Sequence, residues 1–118
     1  QVTVRDHGLA IRALSEFEAD LALVFRPPRV ADFQPLMTLG QRLVALMREG
    51  HPLVRRDAVR LRDCAPYPVA LPERSYGGRQ IIEDVLAASS TRLTPALESN
   101  SFEMLRNFVR LSDAVTFQ

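Results

Sequence analysis

The stretch from Pro95 to Leu111 (Pro-Ala-Leu-Glu-Ser-Asn-Ser-Phe-Glu-Met-Leu-Arg-Asn-Phe-Val-Arg-Leu) leaves the chain the fewest choices. It reads as a short strand, Pro95 to Glu98, turning directly into a helix. Asn100 can accept a bond from a free N–H of the first turn, and Glu103 three residues on completes an Asn-x-x-Glu capping box. Beyond the cap, Met104, Leu105, Phe108, Val109 and Leu111 fall on one side at helical spacing, with Glu103, Arg106, Asn107 and Arg110 on the other. A strand ending in a polar cap aims a helix N-terminus at the carboxyl edge of a sheet, where open α/β sheets bind ligands. An ordinary capped helix satisfies the same pattern.

The rest of the chain repeats the strand–helix rhythm on both sides of one break. Val2-Thr-Val4 is a short strand, and Asp6 caps a helix to about Glu18 with Ala10, Ala13, Leu14 and Phe17 inward. Ala19 to Phe25 is a nearly continuous apolar run, as expected of a strand buried on both faces. Arg26-Pro-Pro-Arg29 ends it, because two prolines cannot continue a ladder. Pro35 to Met47 then reads as two extended segments joined at Gly40 with no helix between, a connection that carries a chain from one lobe to another. Gly50-His-Pro52 is a turn, and Arg55 to Leu61 meanders over the surface. Pro66 to Pro72 brackets a strand, and Glu73-Arg-Ser-Tyr-Gly-Gly78 is a loop that brings backbone close to a ligand. A helix follows, with Ile81, Ile82, Val85 and Leu86 inward, ended by Ser89 and Ser90; Val115 to Phe117 is the last strand. The pattern βαβ, extended crossover, βαβαβ predicts an α/β fold.

Composition excludes several classes. With 118 residues, 47% hydrophobic and 25% charged, the chain is an ordinary globular length and mixture. A net charge of +1, with all 15 basic residues arginines scattered without a run, argues against a domain that itself grips nucleic acid. The single Cys64 permits no internal disulfide and fits a reducing compartment. Cys64, His7 and His51 are too widely spaced for a local zinc motif, and no apolar run spans a bilayer. No catalytic triad, cysteine–histidine pair or phosphate-binding glycine loop is present, so neither an enzyme nor a cofactor is expected. His51 reads as a turn residue and His7 as surface. Both ends break within strand patterns, which implies a fragment.

Several groups suit a ligand, each beside a plainer structural role. Asn100, Ser101 and Phe102 open the last helix and either cap it or hold an anion. Ser75 and Tyr76 either cover a ligand or start the next helix. Arg26 either clamps a carboxylate from the opposite wall or is solvated, and Phe25 with Pro27 gives an apolar wall or packs the core. Thr116 and Phe117 read as core.

In order and spacing, Asp20-Leu-Ala-Leu, His51-Pro-Leu53, Val69-Ala-Leu-Pro72 and Glu98-Ser-Asn-Ser-Phe-Glu-Met-Leu-Arg-Asn-Phe-Val109 resemble the effector-binding domain of LysR-type transcriptional regulators. Where many members carry a glycine-rich ending before the final strand, this chain has Leu111-Ser-Asp-Ala-Val-Thr-Phe117. The resemblance implies a type 2 periplasmic-binding-protein-like fold, two α/β lobes joined by crossover strands. Residues 1–39 would be part of the first lobe and 40–118 nearly all of the second. It implies a cytoplasmic sensor that binds a small effector, an organic acid in many members, between the lobes. Arg26, Ser75, Tyr76, Asn100, Ser101 and Phe102 would be the contacts. It further implies a homodimer or tetramer, and DNA binding only through an N-terminal winged helix-turn-helix outside this sequence. A lobe of a solute-binding transport protein is the second reading, and an enzyme fragment the third.

Overall fold

The computed structural model describes residues 1–25 and 32–118. Helix α1 (His7–Ser15) is followed by strand β1 (Ala45–Leu46), a 3-10 turn (Pro52–Arg55) and a short helix α2 (Leu61–Cys64). Strand β2 (Val69–Pro72), helix α3 (Gly77–Ser89), strand β3 (Pro95–Ser99), helix α4 (Phe102–Arg110) and strand β4 (Val115–Phe117) complete the order.

One sheet of order β1-β4-β2-β3 organises residues 45–118. β2 runs parallel to both β3 and β4, while β1 is antiparallel to β4. Successive residues of a strand face opposite sides, so the two helices divide the sheet's faces between them. Val69, Leu71, Val115 and Phe117 pack with Ile82 and Leu86 of α3; Ala70 packs with Leu105 and Val109 of α4. The chain thus leaves β2, covers one face with α3, pairs β3, covers the other face with α4, and returns to β4 on the far side of β2. The expected βαβαβ unit is present as read. Thr116 is buried between these layers, and its hydroxyl has no partner among the described residues.

His51 holds the corner between β1 and the 3-10 turn. Its Nδ1 accepts from the Leu53 N–H at 3.1 Å, its Nε2 lies 3.2 Å from the Asp113 carbonyl, and its ring packs on Tyr67 with centroids 4.4 Å apart. An ion pair from Arg48 to Asp113 closes the same corner from outside. The expected turn residue is therefore a buried one.

Other expectations need correction. Val2–Val4 and Ala19–Phe25 form no strands: apolar runs become strands only where another strand completes the ladder, and neither finds one among the described residues. Of the crossover, only the end pairs: Ala45–Leu46 forms β1, and Val44 just before it exchanges two backbone bonds with Gln118. Helix α1 stops at Ser15, and Phe17, with φ 59°, is fully outside; Ala13 alone is buried there. Asp6 does cap α1, its Oδ1 accepting from the Leu9 N–H at 2.8 Å. Residues 55–61 are not all meander, since the 3-10 turn and α2 bracket them and bury Leu53 and Cys64. Val85, Met104 and Leu111 are exposed, because only a narrow stripe of each helix meets the sheet. Finally, β3 runs one residue further than expected, to Ser99, which moves the N-cap of α4 from Asn100 to Ser101. Ser101 Oγ accepts from the Met104 N–H at 3.2 Å, so the Asn100–Glu103 capping box does not form.

Candidate functional site

The carboxyl ends of β2 and β3 are adjacent, since Pro72 is paired with Ser99. The turns that follow them therefore come together: Glu73 to Tyr76 after β2, and Asn100 to Phe102 after β3. Beyond the Glu73 N–H, which donates to the Ser99 carbonyl at 3.1 Å, a side-chain hydrogen bond and a ring contact join the turns at the surface. The Tyr76 hydroxyl donates to the Asn100 carbonyl at 2.8 Å, and the Tyr76 ring meets Phe102 edge-on with centroids 5.2 Å apart. Tyr76 thus spans the two turns and stands at the N-cap position of α3, the plainer of the two roles the sequence offered it.

Two cavities open on this edge and share Ser75 and Tyr76. One, of about 220 Å³, is lined by His7, Phe25, Arg74, Ser75, Tyr76, Gly77 and Gln80. The other, of about 370 Å³, is lined by Val4, Arg5, Asp6, Glu73, Ser75, Tyr76 and Asn100. Both lie between the N-terminal segment and the sheet body. At Gly77 the segment comes close to the body: a Cβ there would sit 2.9 Å from Phe25 Cβ and 3.3 Å from the Phe25 carbonyl oxygen. No larger residue fits at Gly77 without pushing Phe25 away.

Three helix N-termini reach these cavities. Asp6 and His7 begin α1, Tyr76 and Gly77 begin α3, and Asn100 directly precedes the Ser101 cap of α4. Helix α3 starts without any side-chain cap, and with the Tyr76 and Arg79 N–H groups bonded to the Glu73 and Tyr76 carbonyls, those of Gly77 and Gly78 are left for water or a ligand. Free N–H groups and the positive ends of helix dipoles favour an anion. The side chains are mixed in sign. Arg5 is paired with Glu18 at 3.0 Å, whereas Arg74 has no ion-pair partner among the described residues.

Of the residues singled out in the sequence, Ser75, Tyr76 and Asn100 line the cavities together, and Phe25 lines one of them. Ser101 is exposed and caps its own helix, its hydroxyl proton still free to donate; Phe102 reaches the edge only through Tyr76. Arg26, with Pro27, lies outside the described residues. Thr116 and Phe117 are core, as expected. His7, read as surface, is half-buried in the cavity wall, and Arg5, Glu73, Arg74 and Gln80 had not been singled out.

Beneath the edge lies Arg79, also missed. It is 2% exposed and bonded to Pro72, Glu83 and Glu98. A signal was available: Arg79 stands three residues before Ile82 and seven before Leu86, on the stripe those two bury. Cys64 is buried away from the edge, and burial, with the Asp63 charge adding to it, pushes its thiol up to about 11. It is a poor nucleophile at neutral pH. Among the described residues no group of three or more His, Cys, Asp or Glu side chains could hold a metal, and no helix is long and apolar enough to cross a membrane.

Comparison with known proteins bears on the whole chain. The LysR substrate binding domain family matches residues 1–118. The fold is similar to that of HinK, a LysR family transcriptional regulator from Pseudomonas aeruginosa, with a TM-score of 0.85 at 23% identity over 100% of this chain. A putative LysR family regulator from Pseudomonas aeruginosa superposes with a TM-score of 0.80 at 23% identity over 96% of the chain. The effector binding domain of QuiR, in complex with shikimate, does so with a TM-score of 0.81 at 22% identity over 92%. The chain spans 41%, 41% and 52% of the lengths of those three proteins.

Proposed function

The chain belongs to the LysR substrate-binding domain family, with its type 2 periplasmic-binding-protein-like α/β fold, and on that footing we propose that it senses a small anionic effector for a transcription regulator. In this reading residues 1–39 contribute part of one lobe and residues 40–118 most of the other. The effector sits at the edge where Ser75, Tyr76 and Asn100 face Arg5, Asp6, His7 and Phe25. One observation carries the reading: both cavities are walled by the two parts of the chain at once, and residues at or next to three helix N-termini line them. A ligand there touches both parts and is favoured if negatively charged.

A ligand that contacts two bodies shifts their arrangement by its differential affinity for the alternatives. That shift, passed to a DNA-binding domain and to other copies of the protein in a homodimer or tetramer, is the proposed output. The proposed role is cytoplasmic regulation without catalysis. The transport reading is set aside, because the matching family is one of regulators.

The test is a set of matched probes. Benzoate and shikimate, each compared with its neutral amide, are added to the protein while its melting is followed. A carboxylate at a hundred times its Kd adds about 2.7 kcal/mol, which raises the melting temperature of a domain this size by roughly 10 °C or more. The expected result is stabilisation by at least one carboxylate and none by its amide. Equal effects of acid and amide would remove the case for an anion, and no effect of either pair would count against the cleft.

A further inference from the structure

Arg79 is a charge on the buried stripe of a helix, and its three nitrogens act in three directions. Nε donates to Glu83 at 2.7 Å, one turn along α3. Nη1 donates to the Pro72 carbonyl at 2.8 Å, at the last residue of β2. Nη2 reaches the Glu98 carboxylate at 3.4 Å, next to the end of β3. The two glutamates are partly open to water, but the guanidinium is not. The buried partner is therefore the one whose geometry is fixed.

We infer that Arg79 is the positioning residue of the cleft, holding the turn after β2 and the turn after β3 at one separation. The inference rests on the reading that these turns form one wall of the effector site. Pro72 leads straight into Glu73 to Tyr76, and Glu98 lies two residues before Asn100. A shift of either strand end carries its turn with it. The Tyr76–Asn100 bond ties the same two turns from the solvent side and the Glu73 N–H donates to the Ser99 carbonyl at 3.1 Å where the turns begin, so Arg79 is the inner of three ties. The inner tie requires arginine. A planar guanidinium presents donors at fixed angles to three separate acceptors, whereas an ammonium is a point charge on a flexible stem that cannot hold all three at set distances.

The chain offers its own probe and control. Its two tyrosines are Tyr67 and Tyr76. Tyr76 sits in the wall, and Tyr67 packs against His51 away from both turns. The intact protein is labelled with 3-fluorotyrosine, and the two resonances are assigned with Tyr67→Phe and Tyr76→Phe. Arg79→Lys and Arg79→Gln are expected to shift or broaden the Tyr76 signal and leave that of Tyr67 in place. Glu98→Gln, which weakens only the arm to β3, is expected to move Tyr76 in the same sense by less. Movement of both signals together would mean that Arg79 merely supports the fold, and movement of neither would mean that the turns hold themselves; each overturns the inference. Binding supplies the second readout, by calorimetry well below the melting temperature with benzoate and shikimate as probes. For a probe that the parent protein binds, Arg79→Lys is expected to weaken Kd about tenfold with stoichiometry unchanged. An unchanged Kd overturns the inference. Binding of neither probe by the parent counts against the effector reading, while the fluorine signals still decide whether Arg79 sets the wall.

Discussion

The sheet body of residues 45–118 and the segment of residues 1–25 carry similar apolar runs and treat them in opposite ways. In the body, Val69, Ala70 and Leu71 lie between two paired strands, with α3 on one face and α4 on the other, and are at most 1% exposed. In the segment, Leu21 and Leu23 are 72% and 90% exposed and pair with no strand among the described residues. Side-chain hydrophobicity does not separate the two runs. What separates them is whether backbone N–H and C=O groups find a ladder, because only then can both faces be covered without leaving polar groups dry.

The sharpest way to break this contrast is to remove the same side chain from each run. Leu71→Ala should cost about 2–5 kcal/mol, the range for emptying a packed site. Leu23→Ala should stay within about 0.5 kcal/mol, as surface changes do. Urea unfolding followed by circular dichroism reads both, and equal losses would erase the distinction.

A smaller effect is expected where the regions touch. Gly77→Ala places a methyl against Phe25, which should cost about 1–3 kcal/mol if the segment is held in place. Combining it with Phe25→Ala should recover part of that, visible as a coupling in a double-mutant cycle. A Gly77→Ala change without cost would show that the segment yields freely.

The least effect concerns the surface of the body. Asp63 is held below the usual carboxylate range, chiefly by the bond from the Arg60 N–H at 2.9 Å, with Arg56 adding its charge. Its folded value is below its unfolded one, so its contribution to stability is present above the unfolded value and lost as pH falls through the folded one. The carboxyl carbon of Asp63 should therefore titrate below 3.8 in a carbon NMR experiment, and Asp63→Asn should remove that part of the acid sensitivity. A midpoint at or above 3.8 would contradict the assignment.

The body was largely legible. The proline-bracketed strand, the helix ended by Ser89 and Ser90, the strand from Pro95 and the strand Val115–Phe117 all announce themselves by period and punctuation. In the segment only the Asp6-capped helix was legible, and its strands were not, because a lone apolar run specifies that a strand is possible and says nothing of its neighbours. The cap of α4 was misplaced by one residue for a local reason. Asn100 and Ser101 are both good caps, and the choice fell to how far β3 stays paired with β2. The candidate site was half legible as a place in the fold. Ser75, Tyr76 and Asn100 follow from strand ends at one edge. Arg5 and His7 come from a distant part of the sequence that only the folded chain brings near, and Arg79 was passed over because a charge is not sought on an apolar stripe.

The strand order β1-β4-β2-β3 also dictates a schedule. β1 and β2 are made early and never touch; β4, synthesised after both, is the piece that lies between them. Until β4 is in place, β1 has no partner strand and β2 is paired on one side alone, with β3. Closure waits on a pairing between residues far apart in sequence, the slow kind of event in folding.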